Sequence, residues 1–412
     1  MIHFRLLLAC LVLLGIGPTA RAQILQGEWV DRSDAAIDEH RKTGVIVIVL
    51  GEDDRPIRGA QVHIEQTRHD FVLGVAVSQP RPPEGEPGEL PVWRCFNAVA
   101  LDRLTGWRIG AAPPANEIDA AAQQWGDWLD PIEVSYGPVL SADPARTPDH
   151  AVGMDADDLS AFVMQRFNAA LNADDAINRF DHYADALGHA FLEERLGPGI
   201  LNKLYDTSSA RRPDATHTLR VSDGLSQNGS RELRQRVQGL DIRQVRLDGV
   251  TIDQPFTGSV NPAPLERTLN DRIATLDLPV TIANLDPGGT SQAAAALNLE
   301  TVLRLLFATP NVQGIYFAGV YGHEMRDPAA GLIDDAGDPM SCGQLIDTFF
   351  REIWWIDFTE ASDDLGNVRA RVFTGWYRIT ATLPDGRVLD TEAYLPKSDE
   401  TPYVVFQAGP AE

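Results

Sequence analysis

Apolar residues along this chain follow two rhythms. Short runs rich in β-branched and aromatic residues alternate with longer stretches in which apolar positions return every three or four residues. VIVIVL at 45–50 is the first strand-like run, and QVHIE at 61–65 follows across the turn DDRPIRGA. From residue 70 onward the chain offers FVLGVAV (71–77), FNAVAL (96–101), IEVSYGPVL (132–140) and RFDHYADAL (179–187). HTLRVSD (217–223), IRQVRLDGVTI (242–252), PVTIANLD (279–286) and VQGIYFAGV (312–320) complete a set of eight. Helical periods lie between most of them. Leu159, Phe162, Val163 and Phe167 follow a cap at Asp157 or Asp158. Leu269, Ile273 and Leu276 share a face after Pro264, and Leu297, Leu299, Val302, Leu303 and Leu306 mark 291–307. Leu345, Ile346, Phe349, Phe350 and Trp354 close the series in 345–356.

Eight strands with intervening helices predict an α/β fold, a (β/α)8 TIM barrel. The Pro/Gly/Glu-rich stretch 78–91 joins the first two barrel strands as a loop. Past Trp355 the alternating rhythm returns at 368–375, 377–384, 387–395 and 402–409, with Pro384-Asp385-Gly386 as a turn. Both ends of the chain therefore read as β, and they are expected to form one accessory module beside the barrel. The expected divisions are a signal peptide at 1–22, an amino-terminal β segment at 44–69, the barrel at 70–357 and carboxy-terminal strands at 366–410.

Composition narrows the setting. Arg5, an uncharged run from Leu6 to Ile16 and the small residues of Ala20-Arg21-Ala22 read as a secretory signal cleaved after Ala22. The run is too short for a membrane span, and few apolar residues precede Cys10 for a lipoprotein signal. The expected location is secreted, periplasmic or otherwise in the cell envelope. Thirty-five basic residues face 59 acidic ones, a formal net charge of −24, which argues against a nucleic-acid partner. Beyond the signal only Cys95 and Cys342 remain; one bridge or two buried thiols both fit. No phosphate loop, serine elbow or cysteine metal cluster is present, and no cofactor is expected.

The strand ends match a known pattern. GAQVHIEQTRHDFVLGVAV, FNAVALDRLTGWR (96–108), RFDHYADALGHAFLEERLG (179–197), LDLPVTIANLD and PNVQGIYFAGVYGHE follow one another in a characteristic order and spacing. In these stretches the chain resembles glycoside hydrolase family 10, the endo-β-1,4-xylanases, from about residue 44 to residue 375. The resemblance implies a retaining site built on two glutamates. Its acid/base position falls on Asp185 and its nucleophile position on Asn284. An amide forms no glycosyl ester, and aspartate is shorter than glutamate by one methylene. Asp286 keeps the acid that follows the nucleophile.

Sugar-holding positions have changed as well. Ala184 stands for an asparagine, Arg103 and Gly106 for an asparagine and a lysine, and Gly137-Pro138 for Gly-His. Ser222 stands for another asparagine, Asp253 and Pro255 for a glutamine and a histidine, and Ala318 for a stacking tryptophan. Phe96, Asn97, Trp107 and Gly314 are kept. Arg103, Trp107, Ser222, Asp253 and Tyr321 are thus the candidate ligand contacts at the mouth. The expectation is a family 10-like exported protein that has lost xylanase catalysis and binds an extracellular polysaccharide or another extracellular protein. The alternative is an active O-glycosyl hydrolase with a relocated or substrate-assisted mechanism using Asp185 and Asp286, with Asp223 and Asp253 also at strand exits.

Other groups of polar residues favour plainer readings. His323-Glu324 lacks further metal ligands, and Asp155, Asp157 and Asp158 lack the spacing of a calcium loop. His182 should point away from Asp185, whereas Tyr183 should share its face. Asn228-Gly229 reads as a turn.

Overall fold

The computed structural model describes residues 27–90, 92–105 and 115–409. The expected signal peptide, Gly106 and Trp107 lie outside them. The chain opens with α1 (Glu28–Arg41), β1 (Lys42–Leu50), β2 (Gln61–His69), β3 (Val72–Ala76), β4 (Ala98–Ala100), α2 (Asp102–Thr105) and α3 (Ala115–Leu129). It continues through β5 (Glu133–Tyr136), β6 (Leu140–Ser141), α4 (Asp149–Val152), α5 (Ala156–Leu171), β7 (Arg179–Ala184), α6 (Phe191–Leu196) and α7 (Ile200–Arg211). Next come β8 (Thr216–Ser222), α8 (Gln227–Ile242), β9 (Gly249–Pro255), α9 (Pro262–Thr268), β10 (Val280–Asp286), α10 (Gln292–Ala308), β11 (Val312–Phe317) and α11 (Ser341–Thr348). The last five strands are β12 (Asp357–Ala361), β13 (Asn367–Phe373), β14 (Gly375–Thr382), β15 (Val388–Leu395) and β16 (Tyr403–Gln407).

Strands β3 to β11 form one parallel sheet that closes on itself through the β5–β7 pairing. The third barrel position is split into β5 and β6, both of which pair with β7. The result is the expected (β/α)8 barrel. Its aliphatic and aromatic positions, such as Leu73, Val99, Phe180, Leu219, Ile252, Ile282 and Phe317, belong to the main core shared with the helices.

The opposite strand face, toward the barrel axis, has a different character. Gly74, Ala76, Ala98, Ala100 and Ala283 leave room there for Tyr316. A Cβ on Gly74 would lie 2.4 Å from the Tyr316 ring, so glycine is what admits the tyrosine. Across the lumen stand Glu133, Arg179, Asp181, Thr218, Arg220 and Thr251, joined by hydrogen bonds.

The two chain ends form the accessory module. One sheet has the order β13-β1-β16 and the other β12-β2-β14-β15. Their facing residues, among them Val45, Val47, Val62, Ile64, Val372, Tyr377, Ile379 and Phe406, make a second core.

Two features depart from the sequence reading. The strand expected at 242–252 begins only at Gly249, because Ile242 ends α8 and is exposed. Helix α1 carries no strong apolar stripe and was not anticipated. It packs on α10, held there by Arg304–Asp34 at 2.6 Å, and is tied to α9 by Arg32–Glu266 at 2.7 Å. At its end Arg41 donates to the carbonyls of Phe307 (2.7 Å) in the last turn of α10, Thr309 (2.6 Å) at its cap and Val312 (2.6 Å) at the start of β11. Burial lowers the Arg41 pKa to about 10. His69, on β2, fills the seam between module and barrel. It donates to the Trp354 carbonyl and lies among Phe307, Phe350 and Phe373, and burial pushes its pKa down to about 4. Cys95 and Cys342 are both free thiols.

Candidate functional site

In parallel barrels chemistry collects at the carboxyl ends of the strands. Here that end is organised by Arg220, an inward residue of β8 that is 1% exposed. Its guanidinium contacts Asp253 on β9 at 2.7 Å, Asp181 on β7 at 3.0 Å, and Asp102 at the start of α2. The Nε–H points at Asp253 too, at 3.0 Å, so this pair is joined by two donors. Asp181 also accepts from the hydroxyls of Thr218 and Thr251 (2.6 Å to the latter). Burial raises Asp181, but Arg220 and Arg179 outweigh it and hold the carboxyl below its ordinary pKa. Burial wins at Asp102, which is lifted to about 6 despite Arg220.

Asn284 joins this network. Its Nδ2 donates to Asp253 at 2.9 Å. Its backbone is left-handed, with φ 48°, where β10 slips register against both neighbours. Asparagine and aspartate tolerate that conformation better than other side chains. Asp185 and Asp223, just past β7 and β8, adopt it as well, with φ 57° and 58°. Three of the Asx residues at the strand exits therefore have a backbone reason to be Asx.

Asp185 is 7% exposed. Its two oxygens accept from Ser141 (2.9 Å) and Ser222 (3.1 Å), and Arg146 lies 3.1 Å away. The Ser222 hydroxyl is thus directed at Asp185. Asp286 accepts from the backbone amides of Gly288 (2.9 Å) and Arg326 (2.7 Å), tying the loop after β10 to the loop after β11. Asp253 is fixed by Arg220 and Asn284. Arg103 donates to the Glu324 carbonyl at 2.8 Å. Glu324 accepts from Ser78 and from the amides of Val320 (2.8 Å) and Tyr321 (3.1 Å), closing the turn after β11. Tyr321 stacks on His323 with 5.4 Å between ring centroids.

Some neighbours differ from expectation. Tyr183 does not face Asp185. A register shift between Asp181 and Tyr183 turns it outward toward Glu193 and Arg236, and burial raises its pKa. His182 points away from Asp185 as expected. His217 donates from Nε2 to the Arg212 carbonyl (2.9 Å), so its Nδ1 accepts from His182 (2.9 Å). The cap of α5 is Asp155, which accepts from the Asp158 amide at 2.9 Å, rather than Asp157 or Asp158. Asn228-Gly229 lies in the first turn of α8, capped by Ser226, rather than in a separate turn. Among the described residues no group of three or more His, Cys, Asp or Glu is placed to hold a metal ion, and no helix is long and apolar enough to cross a membrane.

Two hollows open at the carboxyl-end rim. One, of about 520 Å³, lies outside β8 and β9 and is lined by Asp223, Gln227, Gln254, Phe256, Asn261 and Arg267 among others. The other, of about 310 Å³, lies between the exits of β3 and β11 and is lined by Pro80, Pro82, Trp93, Trp125 and Tyr321 among others. Phe256, Gln254 and Trp125 were not singled out from the sequence. Gln254 ends strand β9, Phe256 follows it and Trp125 lies on α3, and their meeting at the rim follows only once the barrel closes.

With this geometry in place, comparison with known proteins agrees on the fold. No protein-family profile matches the chain. It is 24% identical over 374 residues to the anti-sigma-I factor RsgI6 of Acetivibrio thermocellus, covering 87% of this chain and 47% of that protein. It is 22% identical over 401 residues to endo-1,4-beta-xylanase 2 of Arabidopsis thaliana, covering 93% and 36% respectively. The chain thus spans less than half the length of these two curated relatives. Xylanase 10B from Thermotoga petrophila RKU-1, solved with xylobiose, superposes with a TM-score of 0.58 at 15% identity, covering 69% of this chain and 95% of that one. Native xylanase 10B from Thermotoga maritima gives 0.57 at 15%, covering 69% and 96%. The chain therefore has a glycoside hydrolase family 10-like fold.

Proposed function

We propose that this family 10-like chain is a polysaccharide-binding barrel that grips a glycan at its carboxyl-end rim without cleaving it by the retaining xylanase mechanism. The observation that carries this reading is the state of Asn284. The position that should attack the anomeric carbon holds an amide, and that amide donates to Asp253, which Arg220 in turn fixes. Retaining hydrolysis needs two carboxyl groups about 5 Å apart, one of them nucleophilic. Asp185 faces three donors and Asp286 is engaged by two backbone amides, so both of these acids are bound into the scaffold.

The rim hollows supply what a sugar needs, aromatic faces beside amides and charged hydrogen-bonding groups. The signal-like amino terminus favours an extracellular polysaccharide. The likeness to a protein named as an anti-sigma factor favours binding, with a regulatory protein partner, over turnover. Calorimetry against xylan and β-glucan oligosaccharides, with reducing-end assays on the same samples, tests the reading. Binding without new reducing ends, weakened by Phe256→Ala and Tyr321→Ala, is expected. Release of reducing ends that Asp185→Asn or Asp286→Asn abolishes would instead establish the hydrolase, and silence against every glycan would remove the glycan.

A further inference from the structure

The two rim hollows differ in what their walls leave available. The hollow outside β8 and β9 offers carboxylate, amide and hydroxyl side chains, among them Asp223, Gln227, Thr257 and Ser259. The hollow between the exits of β3 and β11 is walled by Val77, Trp93, Trp125, Val320, Tyr321 and the prolines of loop 78–91. Several polar groups of this second wall are already engaged. The Trp125 indole N–H donates to the Gln79 carbonyl at 3.1 Å. Ser78 donates to Glu324, whose other oxygen accepts from the amides of Val320 (2.8 Å) and Tyr321 (3.1 Å). Pro80, Pro82 and Pro83 have no N–H to offer. Gln79 and Arg81 also line the hollow, and both are exposed residues.

The second wall is also preformed. Trp93, Trp125 and Trp128 pack ring against ring, with centroids 5.2–5.6 Å apart. The Trp128 indole N–H donates to the Gly85 carbonyl at 2.6 Å, so two indoles pin the loop at Gln79 and again at Gly85. The three prolines lie between these two points. Ala76 lines both this hollow and the barrel axis, so the hollow adjoins the mouth.

From this wall we propose that the hollow between β3 and β11 is a site for a planar aromatic group. Resting on the rim reading above, the ring is one that the bound polysaccharide carries as an ester or ether substituent. A sugar ring buried here would need a partner for each hydroxyl it withdraws from water, and this wall offers few. An aromatic ring needs none. It gains apolar burial against the prolines and ring contacts with Trp93, Trp125 and Tyr321. The volume suffices, since a cavity of about 150 Å³ admits benzene and this hollow measures about 310 Å³. A glycan lying across the mouth can lower a substituent into the adjoining hollow. A peptide would bring backbone N–H and C=O groups to the same partner-poor wall.

Calorimetry of the full chain with phenyl and methyl β-xylobioside, and with phenol and cyclohexanol, tests the site. The phenyl glycoside should bind about ten-fold more tightly than the methyl one, and phenol more tightly than cyclohexanol. Tyr321→Ala and Pro82→Gly should each bring the ratio of the two glycosides toward one. Neither residue is fully buried, and unchanged thermal melts would confirm intact folding. Phe256→Ala, in the other hollow, should weaken both glycosides and keep their ratio. Equal binding of the two glycosides by the parent, or no binding of phenol, would overturn this proposal while sparing the rim reading. Phenol and phenyl xylobioside bound equally, with methyl xylobioside silent, would support the aromatic site and remove the polysaccharide. N-acetyltryptophanamide bound more tightly than the phenyl glycoside would assign the hollow to a peptide side chain and overturn the glycan-borne ring.

Discussion

Replacing Asn284 by glutamate restores the residue that the family resemblance places there, and the structure predicts a damaged protein rather than a xylanase. Three costs act together. The Asn284 donor to Asp253, at 2.9 Å, is lost, and a hydrogen bond to a charged acceptor contributes about 1.5–3 kcal/mol. The left-handed backbone at φ 48° costs glutamate about 1 kcal/mol more than asparagine. The new carboxylate also meets the one on Asp253. Two like charges about 4 Å apart at an effective dielectric near 20 repel by roughly 4 kcal/mol, a ceiling that proton uptake relieves. Taken with that relief, urea unfolding at neutral pH should show Asn284→Glu destabilised by about 3–5 kcal/mol. The repulsive share should fade as the pH falls and one carboxyl takes a proton. Asn284→Asp keeps a residue tolerant of the left-handed backbone and isolates the charge; Asn284→Gln keeps the amide and isolates the backbone. A Glu variant within 1 kcal/mol of the parent, or one that releases reducing ends from xylan, would refute this reasoning.

Further expectations follow from the same contacts. Arg220→Met strands Asp102, Asp181 and Asp253 without their shared cation, and equilibrium unfolding should register a loss of about 3–5 kcal/mol; a neutral result would mean the cluster holds nothing together. His69 is held neutral by burial, with its folded pKa of about 4 below the ordinary 6.5, so the stability it contributes is present above 6.5 and is lost as the pH falls toward 4. That loss amounts to about 3 kcal/mol. Asp102 acts in the opposite sense, since its folded pKa of about 6 favours proton uptake by the folded state. The difference between the parent and His69→Gln, which keeps a donor for Trp354, isolates the histidine share in pH-dependent unfolding. Cys95 and Cys342, both raised to about 12 by burial, should resist thiol reagents at neutral pH and react fully in denaturant; fast labelling of the native chain would contradict their placement.

The barrel was legible because its strands announce themselves locally. FVLGVAV and PVTIANLD combine β-branched residues with clear ends, and eight such runs separated by helical periods leave few alternatives. The module was legible because both chain ends alternate. Helix α1 was missed because its buried face includes Ser33 and Arg41 beside Val30 and Ile37, so polar residues hide the helical period. The run from Ile242 to Leu247 misled because Val245 and Leu247 alternate with polar residues as in a strand, although Ile242 ends a helix and the strand begins at Gly249. At the site, the positions of Asp185 and Asn284 were readable from the motifs. The hub was not. Arg220 is one arginine in the strand HTLRVSD, and its acids come from β7, β9 and α2, as many as 118 residues away. No local pattern reports such an encounter; only the inward parity of Thr218, Arg220 and Ser222 hinted at a polar lumen.

The pairing of β1 with β13 and β16 also sets an order of events. Contacts around β1 reach across the chain, as when Arg371 donates to the Asp38 carbonyl 333 residues earlier. A growing chain therefore carries β1 and β2 as bare edges while the barrel that follows β2 is made. The barrel needs only its own strands and can close first; the module must wait for the final strands. A chain cut short before Tyr403 would keep a finished barrel and offer one edge of β1 to any other strand nearby. The strands that follow the barrel thus act as a clasp on the strands that precede it.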